Sequence, residues 1–455
     1  MVGTGGAIAT SSASGPSFSA GAGAGAPTVS SGQPTPDGTI PAAGLPGVLD
    51  VTSGSKSAPL TIGLTYIDNS TTEASLGYSA AGSVTPQSAS QAFVQGINAT
   101  GGIDGRKLIA LDYDFNSDDA DYASDASAAC AKFTQDNHVG VVLDGAFGTT
   151  GGFEGCLQAA GVLDITSQDE GDQTDSDADP LHANISAMDT DRTYEAVLQE
   201  SAATGYVTKA DQLGVIVEDC PEDTRAYART VLPVIAQLGL KPPKEEQIAC
   251  TTGFASAGAA AVNISNAILA FKTAHVDRVM FVSYYEAVIL LLFGNDAATQ
   301  DYDPGYMLSS NAEAEAAPGN IPSSQLPEVH GVGNSPYSDV DNAVLSTADS
   351  RCLALAKAGG LIPSTYNDLS ILTFSCGPFE LLERALQVTD GDAGAQPLAA
   401  GIDGLGSSFE GPGLVGGSTY FSATRHDGPD AVQVFGYLAS CQCIRYSGSP
   451  QPAPA

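Results

Sequence analysis

The stretch from Phe93 to Asp118, FVQGINATGGIDGRKLIALDYDFNSD, leaves its backbone few choices. Phe93 and Ile97 lie four apart, on one face of a helix. Gly101-Gly102 stand where such a helix needs a left-handed C-terminal cap. Asp104-Gly105 suits a tight turn, because glycine takes positive φ without steric cost. Leu108, Ile109 and Leu111 then form an apolar run with the length of a buried strand. The string predicts a helix end, a double-glycine stop, a turn and a strand leading into acidic residues.

The rest of the chain from Leu60 repeats that alternation. LTIGLTYI, KLIALDY, VGVVLDG and GVLDIT predict strands, with helices at 86–99, 119–136 and 151–160. A second series follows: helix 190–204, strand LGVIVED, helix 222–239, strand EEQIAC, helix 256–274, strand RVMFVSY, helix 286–294 and strand GYMLSS. Alternation of this kind implies parallel sheets with helices on both faces. Two series imply an α/β chain of two Rossmann-like lobes, which the length of 455 residues also favours over a single core. Further helices are expected at ADSRCLALAKAGG and CGPFELLERALQV, and the last strands near STYFSA and AVQVFGYL.

Residues 1–58 are mostly Gly, Ala, Ser, Thr and Pro, too poor in apolar surface to offset the entropy of ordering, and are expected to be a disordered tether. No charged segment followed by an apolar one marks a signal peptide, so an export signal, of lipoprotein type or otherwise, is expected upstream or removed. AVILLLFG is too short to cross a bilayer and reads as a core helix.

With 17 basic and 52 acidic residues the chain carries a net charge of -35, which excludes nucleic acid as a partner and disfavours anionic lipid. The charge serves solubility; a sharper reading is a negative field that draws in cationic or zwitterionic solutes. The eight cysteines fit an oxidised, extracytoplasmic protein. Their order suggests Cys130–Cys156, Cys220–Cys250 and Cys352–Cys376. A bridge across one residue is strained, so Cys441 and Cys443 are left with three alternatives: pairing elsewhere, staying reduced, or binding a soft metal. No metal or cofactor site is otherwise expected. Neither a G-x-S-x-G elbow, an H-E-x-x-H helix nor a phosphate-loop lysine motif occurs, and the five histidines are scattered, so no enzyme activity is expected.

The Phe93–Asp118 string resembles the first helix-to-strand connection of the type I periplasmic-binding-protein family, the branched-chain-amino-acid-binding-protein-like solute receptors of ABC importers. The matching residues are Ile97-Asn98-Ala99, Gly101 to Lys107, Asp114 and Ser117-Asp118. Weaker similarity continues through LTIGLTY, LGVIVEDC, VDRVMFVSYY, YMLSSN and HDGPDAVQVF. The resemblance implies two lobes, 59–187 with 333–414 and 188–332 with 415–455, joined by a hinge of three chain crossings.

Ligands of open parallel sheets sit beyond the carboxyl ends of the strands. Those ends offer Tyr66, Asp68 and Asn69; the glycine- and threonine-rich loop Phe147, Gly148, Thr149, Thr150; and Thr166 with Ser167. The last two loops match the places where the family holds the carboxylate and amino group of an amino acid. The second series offers Cys220, Pro221, Tyr284, Tyr285 and Asn311. The family often places an aromatic residue where Cys220-Pro221 stands, so Tyr284 or Tyr285 is expected to supply the flat wall. Asp169, Glu170, Asp172, Asp175, Asp177 and Asp179 read as a solvated loop, with charge screening at the cleft as the alternative. The resemblance implies an extracellular or cell-surface receptor, monomeric, that binds a small polar ligand such as an amino acid or amide and presents it to a membrane permease. The rival readings are a ligand-sensing module signalling to a membrane partner and, more remotely, a hydrolase on a similar scaffold.

Overall fold

The computed structural model describes residues 58–67, 82–115, 122–147, 152–168, 171–251, 257–341 and 343–455. The tether expected over 1–58 falls, apart from Ala58, outside them. So do Asp68, Asn69, Gly148, Thr149, Thr150, Asp169 and Glu170.

The glycine-rich turn is as expected, through contacts that can be named, but the strand after it, expected to be buried, lies at the sheet edge with Ile109 45% exposed. Thr85 caps the helix Pro86–Ala99 in a capping box with Ser88, and Pro86 occupies the first turn, where its missing N–H is harmless. At the other end Gly102 has φ 87°, and a Cβ there would lie 2.0 Å from the Arg106 carbonyl oxygen. The Asn98 side chain donates to the Leu108 carbonyl and accepts from the Leu108 N–H, each at 2.8 Å, so the helix end is clamped to the start of the next strand.

The first sheet contains β1 (Leu60–Ile67), β2 (Leu108–Phe115), β3 (Val141–Gly145), β4 (Leu163–Thr166) and β5 (His182–Asn184), in the order β2-β1-β3-β4-β5. All its pairings are parallel. One face packs on the helices Pro86–Ala99, Thr347–Ala358, Tyr366–Val388 and Ala395–Asp403 through Phe93, Leu143, Ile165, Phe379 and Leu398. Phe133, Phe147, Phe153 and Leu157 cover the other. Two-sided burial explains why β1, β3 and β4 read as near-continuous apolar runs.

The second sheet has β6 (Leu213–Glu218), β7 (Lys244–Ile248), β8 (Arg278–Val282), β9 (Gly305–Leu308), β10 (Val329–Gly333), β11 (Ala431–Leu438) and β12 (Cys443–Pro452), in the order β12-β11-β10-β9-β8-β6-β7. Its last two strands pair antiparallel. The expected helix 286–294 runs on to Thr299, and 222–239 is observed as Pro221–Ala226, a π turn Tyr227–Val231, and Leu232–Gln237. STYFSA is not a strand: isolated bridges such as Gly406 to Phe421 and Thr419 to Pro429 hold it.

The chain passes from the first sheet to the second after β5, returns after β10 and crosses again before β11. Asn334 ties the three crossings together, its side chain donating to the Ser186 carbonyl at 2.9 Å and its own carbonyl accepting from Val415 N–H at 2.8 Å. Three disulfides follow the expected pairing, Cys130–Cys156, Cys220–Cys250 and Cys352–Cys376. The fourth joins Cys441 to Cys443, against the expectation that the strain of a bridge across one residue would leave them to pair elsewhere, stay reduced or bind a soft metal.

Asp368 anchors the return segment. Its buried carboxylate accepts from the N–H groups of Ser83 (2.7 Å), Val84 (2.9 Å), Ser364 (2.7 Å) and Thr365 (3.0 Å) and from the Ser364 hydroxyl (2.8 Å). Burial pushes its pKa up, but these donors outweigh burial and hold it at about 2. Asp368→Ala is expected to cost on the order of 2 kcal/mol in urea unfolding, because it removes hydrogen bonds to a charged acceptor and orphans the buried Val84 N–H. A depressed pKa stabilises the fold above the ordinary value of 3.8, and that contribution disappears as pH falls towards about 2. The variant's deficit should therefore be constant above pH 5 and shrink in acid.

Candidate ligand site between the two sheets

The candidate residues follow the carboxyl ends of β1, β3 and β4 in the first sheet and of β6, β8 and β9 in the second, and the end of β4 meets that of β8. One hydrogen bond marks the meeting: the Tyr284 hydroxyl, after β8, donates to Gln168 Oε1, after β4, at 2.9 Å. Gln168 is held for this role by three bonds of its own. Its Nε2 donates to the Gly145 carbonyl (2.7 Å), its N–H to Thr166 Oγ1 (2.9 Å), and its carbonyl accepts from Asn184 Nδ2 (2.6 Å). Tyr285 stands edge-on to Tyr284, with ring centroids 5.1 Å apart and planes at 76°. Both rings are half-buried.

The other predicted residues occupy the same strand ends but spend their side chains differently. Thr166 is fully buried and donates to the Asp144 carbonyl at 3.1 Å. Ser167 donates to the Phe374 carbonyl at 2.9 Å. Phe147 packs against Phe115, Tyr113 and Phe153 inside the core on that face of the first sheet. Tyr66 is buried, and its hydroxyl accepts from Gln87 Nε2 at 3.0 Å. Burial raises its pKa. Cys220 is committed to Cys250, Pro221 opens the helix after β6, and Asn311 lies in the short turn Ser310–Ala312 with its N–H on Ser309 Oγ. Sequence reasoning passed over Gln168; its signal is only that it follows two strand-end residues, Thr166 and Ser167, that the sheet itself buries.

Beneath the tyrosines lie two buried carboxyls. Glu218 accepts from Ser283 Oγ at 2.5 Å and from Thr251 N–H at 3.0 Å; Glu286 accepts from Ser309 N–H at 3.1 Å and from the Ser309 hydroxyl. Burial raises them to about 7 and about 8, against the opposing hydrogen bonds, so Glu286 keeps its proton at neutral pH. They brace strand ends and do not offer a ligand full negative charge.

From Asp172 on, the described part of the acidic run is not a solvated loop. Asp172 caps the helix Gln173–Ala178 and also accepts from Arg225 Nε at 2.6 Å, while Asp175 takes Arg225 Nη2 at 2.7 Å. Arg229 reaches Asp172 at 3.4 Å, Thr174 Oγ1 at 2.5 Å, and Asp191. Two arginines of the second sheet's helix thus clasp a helix of the first sheet. Farther along the run, Asp179 is buried near His182, whose Nδ1 lies 3.3 Å from Asp164 and 3.8 Å from Glu154. His182 is therefore a core residue, and His330 is half-buried, its ring stacked 3.9 Å from that of Tyr206.

No lysine or arginine occurs in residues 57–105, 133–191, 245–271 or 279–350. These stretches contain every strand end named above except that of β6, whose helix carries Arg225 and Arg229, both already paired. Among the described residues, the groups that gather three possible metal ligands, Cys352/Cys376/Glu380 and Glu218/Cys220/Asp223, use sulfurs held in disulfides. No described helix is long and apolar enough to cross a membrane.

No protein-family model matches the sequence, and a search of curated proteins finds no match. Solved structures do match. A solute-binding protein of an ABC transporter from Rhodopseudomonas palustris HaA2, in complex with p-hydroxybenzoic acid, is 11% identical with a TM-score of 0.64, over 87% of this chain and 98% of that one. A fatty acid ABC transporter substrate-binding protein from Thermomonospora curvata is 14% identical with a TM-score of 0.61, over 88% and 94%. The branched-chain amino acid transporter substrate-binding protein of Streptococcus pneumoniae, in complex with isoleucine, is 16% identical with a TM-score of 0.57, over 87% and 99%. The protein thus has the two-lobe fold of the type I periplasmic solute-binding proteins.

Proposed function

We propose that this chain is an extracytoplasmic receptor of an ABC importer that closes on an amino acid or related amide between its lobes, 59–187 with 333–414 and 188–332 with 415–455. The observation that carries the reading is the Tyr284–Gln168 bond, which brings the strand ends of both sheets to one place. Gln168, Tyr284, Tyr285 and Asn311 would form the contact surface, with the buried Tyr66, Phe147, Thr166 and Ser167 and the Cys220-Pro221 corner behind them. Gly148 and Thr149 belong to the same proposed site through their place after β3. Receptor action would come from tighter binding to the closed form, which shifts the open–closed equilibrium.

The distribution of basic residues narrows the ligand. With no unspent lysine or arginine at these strand ends, a carboxylate, whether of a benzoate or of an amino acid, would depend on N–H and hydroxyl donors, and the tyrosine faces and amide oxygens favour the ligand that also brings an ammonium or amide group. A thermal-shift screen tests this. Amino acids and amides should raise the melting temperature, since a ligand at a hundred times its Kd stabilises the native state by about 2.7 kcal/mol. Stabilisation by aromatic or fatty acids alone, or by no class of solute at all, would overturn the proposal.

A further inference from the structure

We infer that Cys441–Cys443, at the tip of the β11–β12 hairpin, is a thiol–disulfide exchange site for a dithiol reductant. The other three bridges span 26, 30 and 24 residues and join separate elements, so each restrains a sizeable loop; Cys156 is exposed as well, so it is the span that sets Cys441–Cys443 apart. Cys441–Cys443 spans 2 and encloses only Gln442, whose φ of 55° lies in the left-handed region that a non-glycine residue enters at a cost. The fold therefore gives this bridge little protection, and its small ring opposes closure. Strained and exposed bridges are the ones that exchange.

Access and leaving group agree with that assignment. Residues 438–442 are all exposed, whereas Cys443 is 8% exposed. An incoming thiolate would attack Cys441 Sγ, forming a mixed disulfide and expelling Cys443 as thiolate. The reductant's second thiolate then displaces Cys441, leaving two cysteine thiols once protons are taken up and an oxidised dithiol. Cys443 and Arg445 alternate along β12 and so share a face. One buried guanidinium nitrogen of Arg445 has no hydrogen-bond partner among the described residues, while the Arg445 charge acts on the Asp341 carboxyl beside the hairpin. Opening the bridge leaves the β11–β12 pairing in place, because Leu438 to Cys443 and Tyr437 to Ile444 are already in register.

The test is graded reduction of the native protein with dithiothreitol, followed by acid quenching, alkylation and peptide mass analysis. Cys441 and Cys443 should be alkylated together at reductant concentrations roughly tenfold or more below those that open the other three bridges. The melting temperature should hardly change at that point. A parallel arm with catalytic amounts of a protein dithiol distinguishes the two sources of reductant: faster opening than with the small thiol points to a protein partner. The Cys441→Ser/Cys443→Ser variant should fold and lose the early event. Reduction of Cys441–Cys443 together with or after the other bridges, or an early event that survives in the double variant, would overturn the inference.

Discussion

Arg192→Met is expected to cost about 3–5 kcal/mol of folding stability, the usual result of leaving a buried charge without its partner. Arg192 is 3% exposed at the start of the helix Thr190–Ala203, and its guanidinium is paired with Asp427, itself 1% exposed. It also donates to the carbonyls of Pro454 (2.8 Å) and Pro429 (3.0 Å). Asp427 accepts from Asp189 N–H at 2.9 Å, and Asp189 in turn accepts from Arg192 N–H at 2.8 Å. Burial, followed by the Asp427 charge, pushes the Asp189 carboxyl well above its ordinary value, so the cluster already contains more negative charge than it tolerates easily. Arg425 reaches Asp427 only at 3.7 Å and cannot replace the lost bonds. Since Asp427 bridges to Asn184 at the edge of the first sheet, the damage falls on the crossings between lobes. Urea unfolding measures it. Arg192→Met/Asp427→Leu should recover part of the loss, and a single-variant loss below about 1 kcal/mol would show that the pair is not desolvated as described.

The second large effect concerns closure. Replacing Arg225 and Arg229 together by methionine is expected to weaken ligand binding about tenfold, with a much smaller change in unfolding. The arginine side chains are 38% and 42% exposed, so each contact is discounted for screening, and the network as a whole is assigned about 1–2 kcal/mol. Asp172, whose side chain is 0% exposed, is the centre of it. Burial raises its pKa, but the Arg225 hydrogen bond and the charges of Arg225 and Arg229 outweigh burial and hold it below its ordinary 3.8. A lowered pKa gives a contribution that is complete above 3.8 and disappears as pH falls through the lowered value. Binding should accordingly be insensitive to pH in the neutral range, weaken in acid below that point, and decline with added salt. Calorimetric titration of the double variant checks the affinity. Unchanged affinity and unchanged salt dependence would mean that the clasp does not favour the closed form.

What could be read in advance was whatever depends on neighbours in sequence. The Gly101 to Lys107 turn and the apolar β1, β3 and β4 are set by local backbone demands and two-sided burial, and both stand as expected. β5 was missed because His182 to Asn184 is three residues long and polar, and it follows an acidic run that resembles a loop. β12 was missed for a related reason: CIRYSGSPQP lies at a sheet edge, where polar residues and proline are tolerated. The arginine clasp was invisible because Arg225 and Asp172 lie 53 positions apart and are juxtaposed only by the two sheets. Strand-end logic points to Thr166, Ser167, Tyr284 and Tyr285, but it does not tell that Thr166 and Ser167 are spent on the Asp144 and Phe374 carbonyls while Tyr284 meets Gln168. Which side chains the sheet buries depends on where β4 ends relative to Asp144 and Phe374, and no local pattern states it.

The central claim is that one ligand touches both lobes at Gln168 and Tyr284. Isothermal titration should be made with the solute that gives the largest thermal shift, on the native protein, Gln168→Ala, Tyr284→Ala and the double variant. Each single change is predicted to weaken binding about tenfold or more, with the double-variant loss smaller than the sum, since the two side chains share a hydrogen bond. Native affinity in both single variants, with the proteins folded, would contradict the account.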